Sequence, residues 1–409
     1  MRKKLEFQAD RIEAVLTLHQ VPARVTGGTV TPRWVRFQVL PAVGAKISRI
    51  KGLSEELAAA LDVSSCRVSR RGAAVDVEVP REDPQPVRLL PLFRQLNDEG
   101  GIPPVTATLG LAEDGAPLLI RLPSPDVAHI LVAGTTGSGK TVLLQAMILS
   151  LALTNPAPSP VQGEGQGEGA PWNGNGKGRG EGLALVLIDP KGQVFNCFSG
   201  LPHLARPVIW EVDEATEALH SLVRLMEKRG VGNGSGNGFH ENGQPAVVIV
   251  IDELADLLMT GGKAVQWALT RLTQRGREAG IHVVAATQKP TAAVLGPLIK
   301  ANFPVRLVGH VTSVEDARTA TGWSGTGAER LMGRGDFLAV AEGRVIHFQT
   351  AYVSPAEIQE IVAHLVQGEA LSVSPVLVSP VRQASLPWPH PLPHPLTRLT
   401  EVFRGGMQG

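Results

Sequence analysis

The feature that most constrains this chain is a strand-length apolar run, Ile130-Leu131-Val132-Ala133, followed at once by Gly134-Thr135-Thr136-Gly137-Ser138-Gly139-Lys140-Thr141. The octet fits GxxxxGK[ST] in full, and it opens a predicted helix near Thr141. Glycines let several backbone N–H groups converge on one phosphate, and the positive end of the following helix dipole adds to the attraction. Lys140 is placed to reach the β- and γ-phosphates of a nucleotide, and the Thr141 hydroxyl to ligate Mg²⁺. Such a loop needs a strand before it and a helix after it, so the fold must be α/β.

Five apolar runs of strand length support that class: His129–Ala133, Leu183–Ile188, Val247–Ile251, Ile281–Ala286 and Val305–Val308. Each is nearly continuous rather than alternating, which suits strands covered on both faces. A doubly wound, mostly parallel sheet over residues 96–366 is the expected architecture. The Val247–Ile251 run ends at Asp252-Glu253. Asp252 is suited to hold Mg²⁺ through its water shell, and Glu253 to act as general base toward an attacking water. Either acid alone fits a helix cap; the pair after such a strand favours hydrolysis over mere binding. The Ile281–Ala286 run ends at Thr287-Gln288, where the Gln288 amide is placed to contact a γ-phosphate or the water.

Ahead of this region, residues 1–95 read as a small α/β domain with a linker. Ala9 to Leu18 reads as a short amphipathic helix, and Ser54 as the cap of a second. Val35, Phe37 and Val39 alternate with Arg36 and Gln38, and Val75, Val77 and Val79 with Asp76 and Glu78. Both are strand patterns with one apolar face. Pro80–Pro91 is rich in proline and charge and reads as the linker. Two low-complexity stretches, residues 155–182 and 230–243, interrupt the larger domain between a helix and the next strand. That is the sheet edge away from the strand C-termini where ligands bind, so they are expected to be loops without a part in the chemistry. Residues 367–409 read as a proline-rich, disordered tail.

The net charge is +1, so a polyanionic partner would have to meet a local patch of Lys and Arg. The two cysteines, Cys66 and Cys197, form no CxxC pair, which argues against a disulfide framework or a zinc site. No apolar run reaches the ~20 residues of a membrane helix, and a cytoplasmic setting is expected.

In these motifs the chain resembles the FtsK/SpoIIIE DNA translocases. The resemblance is carried by residues 129–141, by Ile188-Asp189-Pro190-Lys191, by Ile251 to Leu257, and by Arg277 to Pro290. Ile299 to Arg306 and Gly327 to Asp336 continue it in family order, and Val39 to Val79 is similar to the family's small α domain. The resemblance implies a RecA-like P-loop NTPase that uses ATP and Mg²⁺, assembles as a hexameric ring around double-stranded DNA and moves along it. Each ATP site would then lie at a subunit boundary, completed by a neighbour's arginine; Arg229, Arg277 and Arg306 are the candidates. Contacts to DNA phosphates are expected from Arg271, Arg275, Lys289 and Lys300. Family members begin with membrane helices and end with a winged-helix domain, neither of which is read in this sequence, so a stand-alone motor is expected. A related ring ATPase driving protein secretion, or a coupling ATPase for conjugative transfer, would keep the same ATP site.

Overall fold

The computed structural model describes residues 2–158, 182–231, 244–290 and 302–367. They form two compact units, one ending at Val87 and the other beginning at Arg88. The break therefore falls before residue 95. Leu89, Leu92, Phe93 and Leu96 form the buried stripe of helix α4 (Leu89–Asp98), which packs on a strand of the second unit. The stretch read as a linker contains the start of this helix and the two-residue strand β5 (Val87–Arg88).

The first unit is a four-stranded antiparallel sheet with three helices. The helices are α1 (Arg2–Leu18), α2 (Ile47–Gly52) and α3 (Ser54–Leu61). The strands are β1 (Ala23–Val30), β2 (Trp34–Pro41), β3 (Arg67–Arg71) and β4 (Ala74–Pro80), in the order β1-β2-β4-β3. The two predicted alternating runs are the central pair. Val35, Phe37, Val39, Val75, Val77 and Val79 meet Ile12, Leu16, Ile50, Leu57 and Leu61 in one core. The opposite face carries Arg36, which donates to Glu78 at 2.9 and 3.1 Å, both residues being buried. Helix α1 begins seven residues earlier than its apolar periodicity suggests. Lys and Glu are good helix formers and extend it, and Leu5 of the added turns packs partly buried against the core. Leu53, not Ser54, sits at the cap of α3, and no side chain caps it.

The second unit is built on one sheet whose main path runs β7-β6-β14-β13-β12-β8-β11-β10-β9. Its parallel half is the predicted set: β8 (Ile130–Ala133), β9 (Leu183–Ile188), β10 (Ala246–Ile251), β11 (Ile281–Thr287) and β12 (Val305–Val308). Its antiparallel half is β6 (Thr106–Ala112), β7 (Pro117–Arg121), β13 (Asp336–Ala341) and β14 (Arg344–Tyr352). The sequence patterns did not announce this second half. On one face, α6 (Val212–Val231) and α7 (Leu254–Arg275) bury Leu219, Val223, Leu269 and Leu272 against Val186, Ile249 and Val283. Helix α5 (Lys140–Thr154) is buried nearly all round, as a helix without a polar face must be. The described residues that flank the two low-complexity stretches meet at the start of the strands. Leu183 N donates to Pro156 O at 3.0 Å, and Ala246 N to Gly182 O at 3.0 Å. Most of residues 155–182 and 230–243, and the tail, lie outside the described residues.

A candidate nucleotide site at three strand tips

Strand β11 lies between β8 and β10, with Thr287 opposite Ala133 and Ala285 opposite Ile251. Adjacent strands stand about 4.8 Å apart. The register therefore sets the phosphate loop, the Thr287-Gln288 tip and the Asp252-Glu253 pair side by side at the C-terminal edge of the sheet. Residues more than 100 positions apart in sequence thus form one site.

The loop from Gly134 to Gly139 is held on several sides. Gly134 N donates to Thr287 O at 3.3 Å, and Thr135 N to His310 O at 2.8 Å. On the antiparallel side, Arg334 N donates to Gly137 O at 2.8 Å and Gly335 N to Ser138 O at 2.7 Å. Gly139, at φ 103°, caps α5 with a backbone that side-chain-bearing residues rarely adopt. The Lys140 ammonium is buried at the base of the loop and donates to Gly134 O at 2.5 Å and Thr135 O at 3.1 Å. Thr141 is exposed at the start of α5.

Asp252 and Glu253 are both buried. The Glu253 carboxylate accepts from the Thr287 hydroxyl at 2.7 Å and from Gln288 N at 3.1 and 3.2 Å. Lys191 stands 3.8 Å from Glu253 and 3.2 Å from Asp256. The Gln288 side chain accepts from the Thr136 hydroxyl at 2.8 Å, tying this tip to the phosphate loop. Burial pushes the Asp252 carboxyl up to about 6, helped by Asp189 and Glu253 and opposed by Lys140 and Lys191. Burial pushes Lys140 down to about 8, with Glu253 and Asp252 pulling the other way. For Lys191, burial works against the charge. The hydrogen bond to Asp256 and the carboxylates of Glu253, Asp256 and Asp252 outweigh it and raise its pKa. Carboxylates crowded beside Asp252 make a donor set suited to a divalent cation, which would relieve their repulsion.

The remaining candidates are dispersed. Arg229 is buried, and its guanidinium donates to Ala279 O at 2.7 Å and Pro245 O at 3.1 Å within its own chain. Arg306 is partly buried and donates to Ala320 O at 3.4 Å and Phe303 O at 3.5 Å. Arg277 is exposed in the turn Gly276–Ala279 before β11. Arg271 pairs with Glu227 at 3.3 Å, and Arg275 is exposed. Lys289 is exposed just beyond Gln288, at the opposite end of the seven-residue β11 from Arg275. At ~3.3 Å per residue, that is roughly 20 Å away. Lys300 lies outside the described residues. Thr287, Lys191, Arg334 and Gly335 were given no role from sequence, because their parts are defined by partners distant in the chain.

Residues 1–81 match the FtsK alpha domain, and residues 100–162, 179–232 and 236–292 match the FtsK/SpoIIIE family. This chain belongs to the FtsK/SpoIIIE family. The gap between the first two matched segments, residues 163–178, lies within the low-complexity stretch 155–182. Among relatives of this FtsK/SpoIIIE chain, the DNA translocase SpoIIIE of Bacillus subtilis is 31% identical over 389 residues, covering 89% of this chain and 46% of the relative. The DNA translocase FtsK of Sporosarcina ureae is 32% identical over 387 residues, with the same coverage. The chain thus spans about half the length of the relatives it matches. Among solved structures, the pCW3 conjugation coupling protein TcpA with ATPγS is similar at TM-score 0.55 and 21% identity, covering 87% of this chain and 99% of that one. The cytoplasmic domain of the Thermomonospora curvata Type VII secretion ATPase EccC gives TM-score 0.51 at 22% identity, covering 64% of this chain and 31% of that one. These likenesses establish the RecA-like P-loop fold. Among the described residues no helix is long and apolar enough to cross a membrane.

Proposed function

We propose that this FtsK/SpoIIIE chain hydrolyses ATP and couples the hydrolysis to movement along double-stranded DNA. The observation that carries the reading is the placing of Lys140, Asp252, Glu253 and Gln288 at three adjacent strand tips, within a chain whose relatives are named DNA translocases. The phosphate loop binds the β- and γ-phosphates, with Lys140 as the cation. Mg²⁺, held by Thr141 and through water by Asp252, would neutralise developing phosphate charge when bound. Glu253 takes the proton of the attacking water, and Gln288 senses the γ-phosphate side of the loop through Thr136.

The working form is a homo-oligomeric ring, hexameric by family resemblance, with each site closed by a neighbour. Arg277 is the arginine we assign to that role. It is exposed, and it lies at the sheet edge away from its own strand tips, where it can serve another subunit's site but not its own. Arg229 and Arg306 already donate to carbonyls of their own chain. Lys289, beside the nucleotide, is the assigned DNA-phosphate contact nearest the chemistry. Arg271 and Arg275 would belong to a separate contact.

Steady-state ATP hydrolysis with and without long linear duplex DNA tests the reading, at low and moderate salt. Strong stimulation that weakens with salt is expected, because phosphate contacts release counterions. Hydrolysis indifferent to DNA would overturn the DNA part and leave an ATPase acting on protein.

A further inference from the structure

The general base needs a group that fixes its orientation, and the sequence supplies no obvious one. The buried Thr287 hydroxyl meets the requirement. It carries a single proton, and Lys289 N donates to its oxygen at 3.1 Å, so that proton is directed to the Glu253 Oε1 at 2.7 Å. Thr287 itself cannot drift. Its residue is fully buried at the end of β11, and its carbonyl accepts from Gly134 N of the phosphate loop at 3.3 Å. The same carboxylate accepts from Gln288 N. One dipeptide therefore sets the carboxylate plane and is bonded to the phosphate loop.

We propose that Thr287 is a positioning residue for Glu253, holding its carboxylate in one rotamer through Oε1 while Oε2 faces Gln288 N and Lys191. The proposal rests on the reading of Glu253 as general base. It has the form of an orienting group behind a base, where loss of orientation slows turnover without loss of binding. Thr287→Val removes the hydroxyl at nearly constant shape; Thr287→Ser keeps it.

The experiment measures kcat and KM for ATP, together with the Kd of a fluorescent ATP analogue, in the wild type, Thr287→Val, Thr287→Ser, Glu253→Gln and the Thr287→Val/Glu253→Gln double variant. The expected result is a fall in kcat on the order of tenfold to a hundredfold for Thr287→Val, within the range a general base supplies. Kd should stay within about twofold, Thr287→Ser should recover most of the rate, and the double variant should be no slower than Glu253→Gln. A Thr287→Val rate equal to wild type, with Glu253→Gln inactive, overturns the positioning role alone. A Thr287→Val loss that appears equally in Kd and persists in Thr287→Ser also overturns it, in favour of a structural role. Wild-type turnover in Glu253→Gln removes the general-base reading itself.

Discussion

The backbone N–H of Gly335 donates to the carbonyl oxygen of Ser138 at 2.7 Å. The contact fixes the peptide plane between Ser138 and Gly139, and so the direction in which the Gly139 N–H points. Both glycines are needed for it. A Cβ on Gly139 would come within 2.5 Å of Gly335 N, and a Cβ on Gly335 within 2.5 Å of Thr350 Cγ2. Gly335 also holds φ 89°, where a side chain is strained. Gly335→Ala should therefore cost about 1–3 kcal/mol. Expressed at the phosphate loop, that weakens nucleotide binding by about fivefold to a hundredfold. Equilibrium titration with a fluorescent ATP analogue checks this; unchanged affinity with only a lower Tm would confine Gly335 to stability.

That contact also shows how far the sequence could be read. The five parallel strands were legible because burial on both faces makes each a nearly continuous apolar run, and the phosphate loop because its glycines and lysine lie within seven residues. The antiparallel half was not. Arg344–Tyr352 mixes polar residues such as His347 and Gln349 into its apolar pattern, since several of its positions are exposed or half-buried. Asp336–Ala341 is apolar and buried after Asp336 but too short for its run to be told from a helix segment. Yet this half supplies Arg334 and Gly335, which grip the loop. Thr287 and Lys191 were visible as residues but not as partners of Glu253, because the strand order β8-β11-β10 that joins them is a property of three-dimensional pairing.

Lys140 gives a pH prediction with a definite sign. Burial lowers its pKa to about 8, so below that value the loop carries its cation and above it the free protein does not. Bound phosphates favour the charged form and restore it, so nucleotide binding takes up a proton at high pH. Affinity should be flat below about pH 8 and fall by up to about tenfold per unit above it. Titration calorimetry at pH 9 in two buffers of different ionisation enthalpy should show the proton uptake. Lys140→Met should bind weakly at every pH with no such uptake, and an identical pH dependence in that variant would exclude Lys140 as its source.

Arg229 and Arg277 are predicted to behave oppositely. Removing the Arg229 guanidinium leaves the buried Ala279 carbonyl and the partly buried Pro245 carbonyl without it, at a cost of about 1–3 kcal/mol. Arg229→Met should therefore lower the denaturation midpoint. Arg277→Ala should leave the midpoint alone, because the side chain is exposed in its own subunit, and should lower kcat of the assembled protein while nucleotide affinity persists. Chemical denaturation and turnover measured on the two variants separate these outcomes. A stable Arg229→Met with slow turnover would move the trans role back to that residue.

Asp252 illustrates a site held against the stability of the fold. Its carboxyl is raised to about 6 by burial and by its neighbours Asp189 and Glu253. A carboxyl whose folded pKa lies above its unfolded value gives stability that is complete below about pH 4 and lost as pH rises through about 6. At pH 7, without a divalent cation, ionised Asp252 therefore weakens the fold. Asp252→Asn should raise Tm in Mg²⁺-free buffer at pH 7, and the gain should shrink toward pH 4. Added Mg²⁺ with ATP should stabilise the wild type more than the variant, since the charge that strains the free protein is the one proposed to hold the cation. Thermal melts across this pH range, with and without Mg²⁺ and ATP, check both halves. If Asp252→Asn were less stable than wild type at pH 7 in Mg²⁺-free buffer, the carboxylate would be contributing to the fold, and its strain could not be the origin of metal binding here.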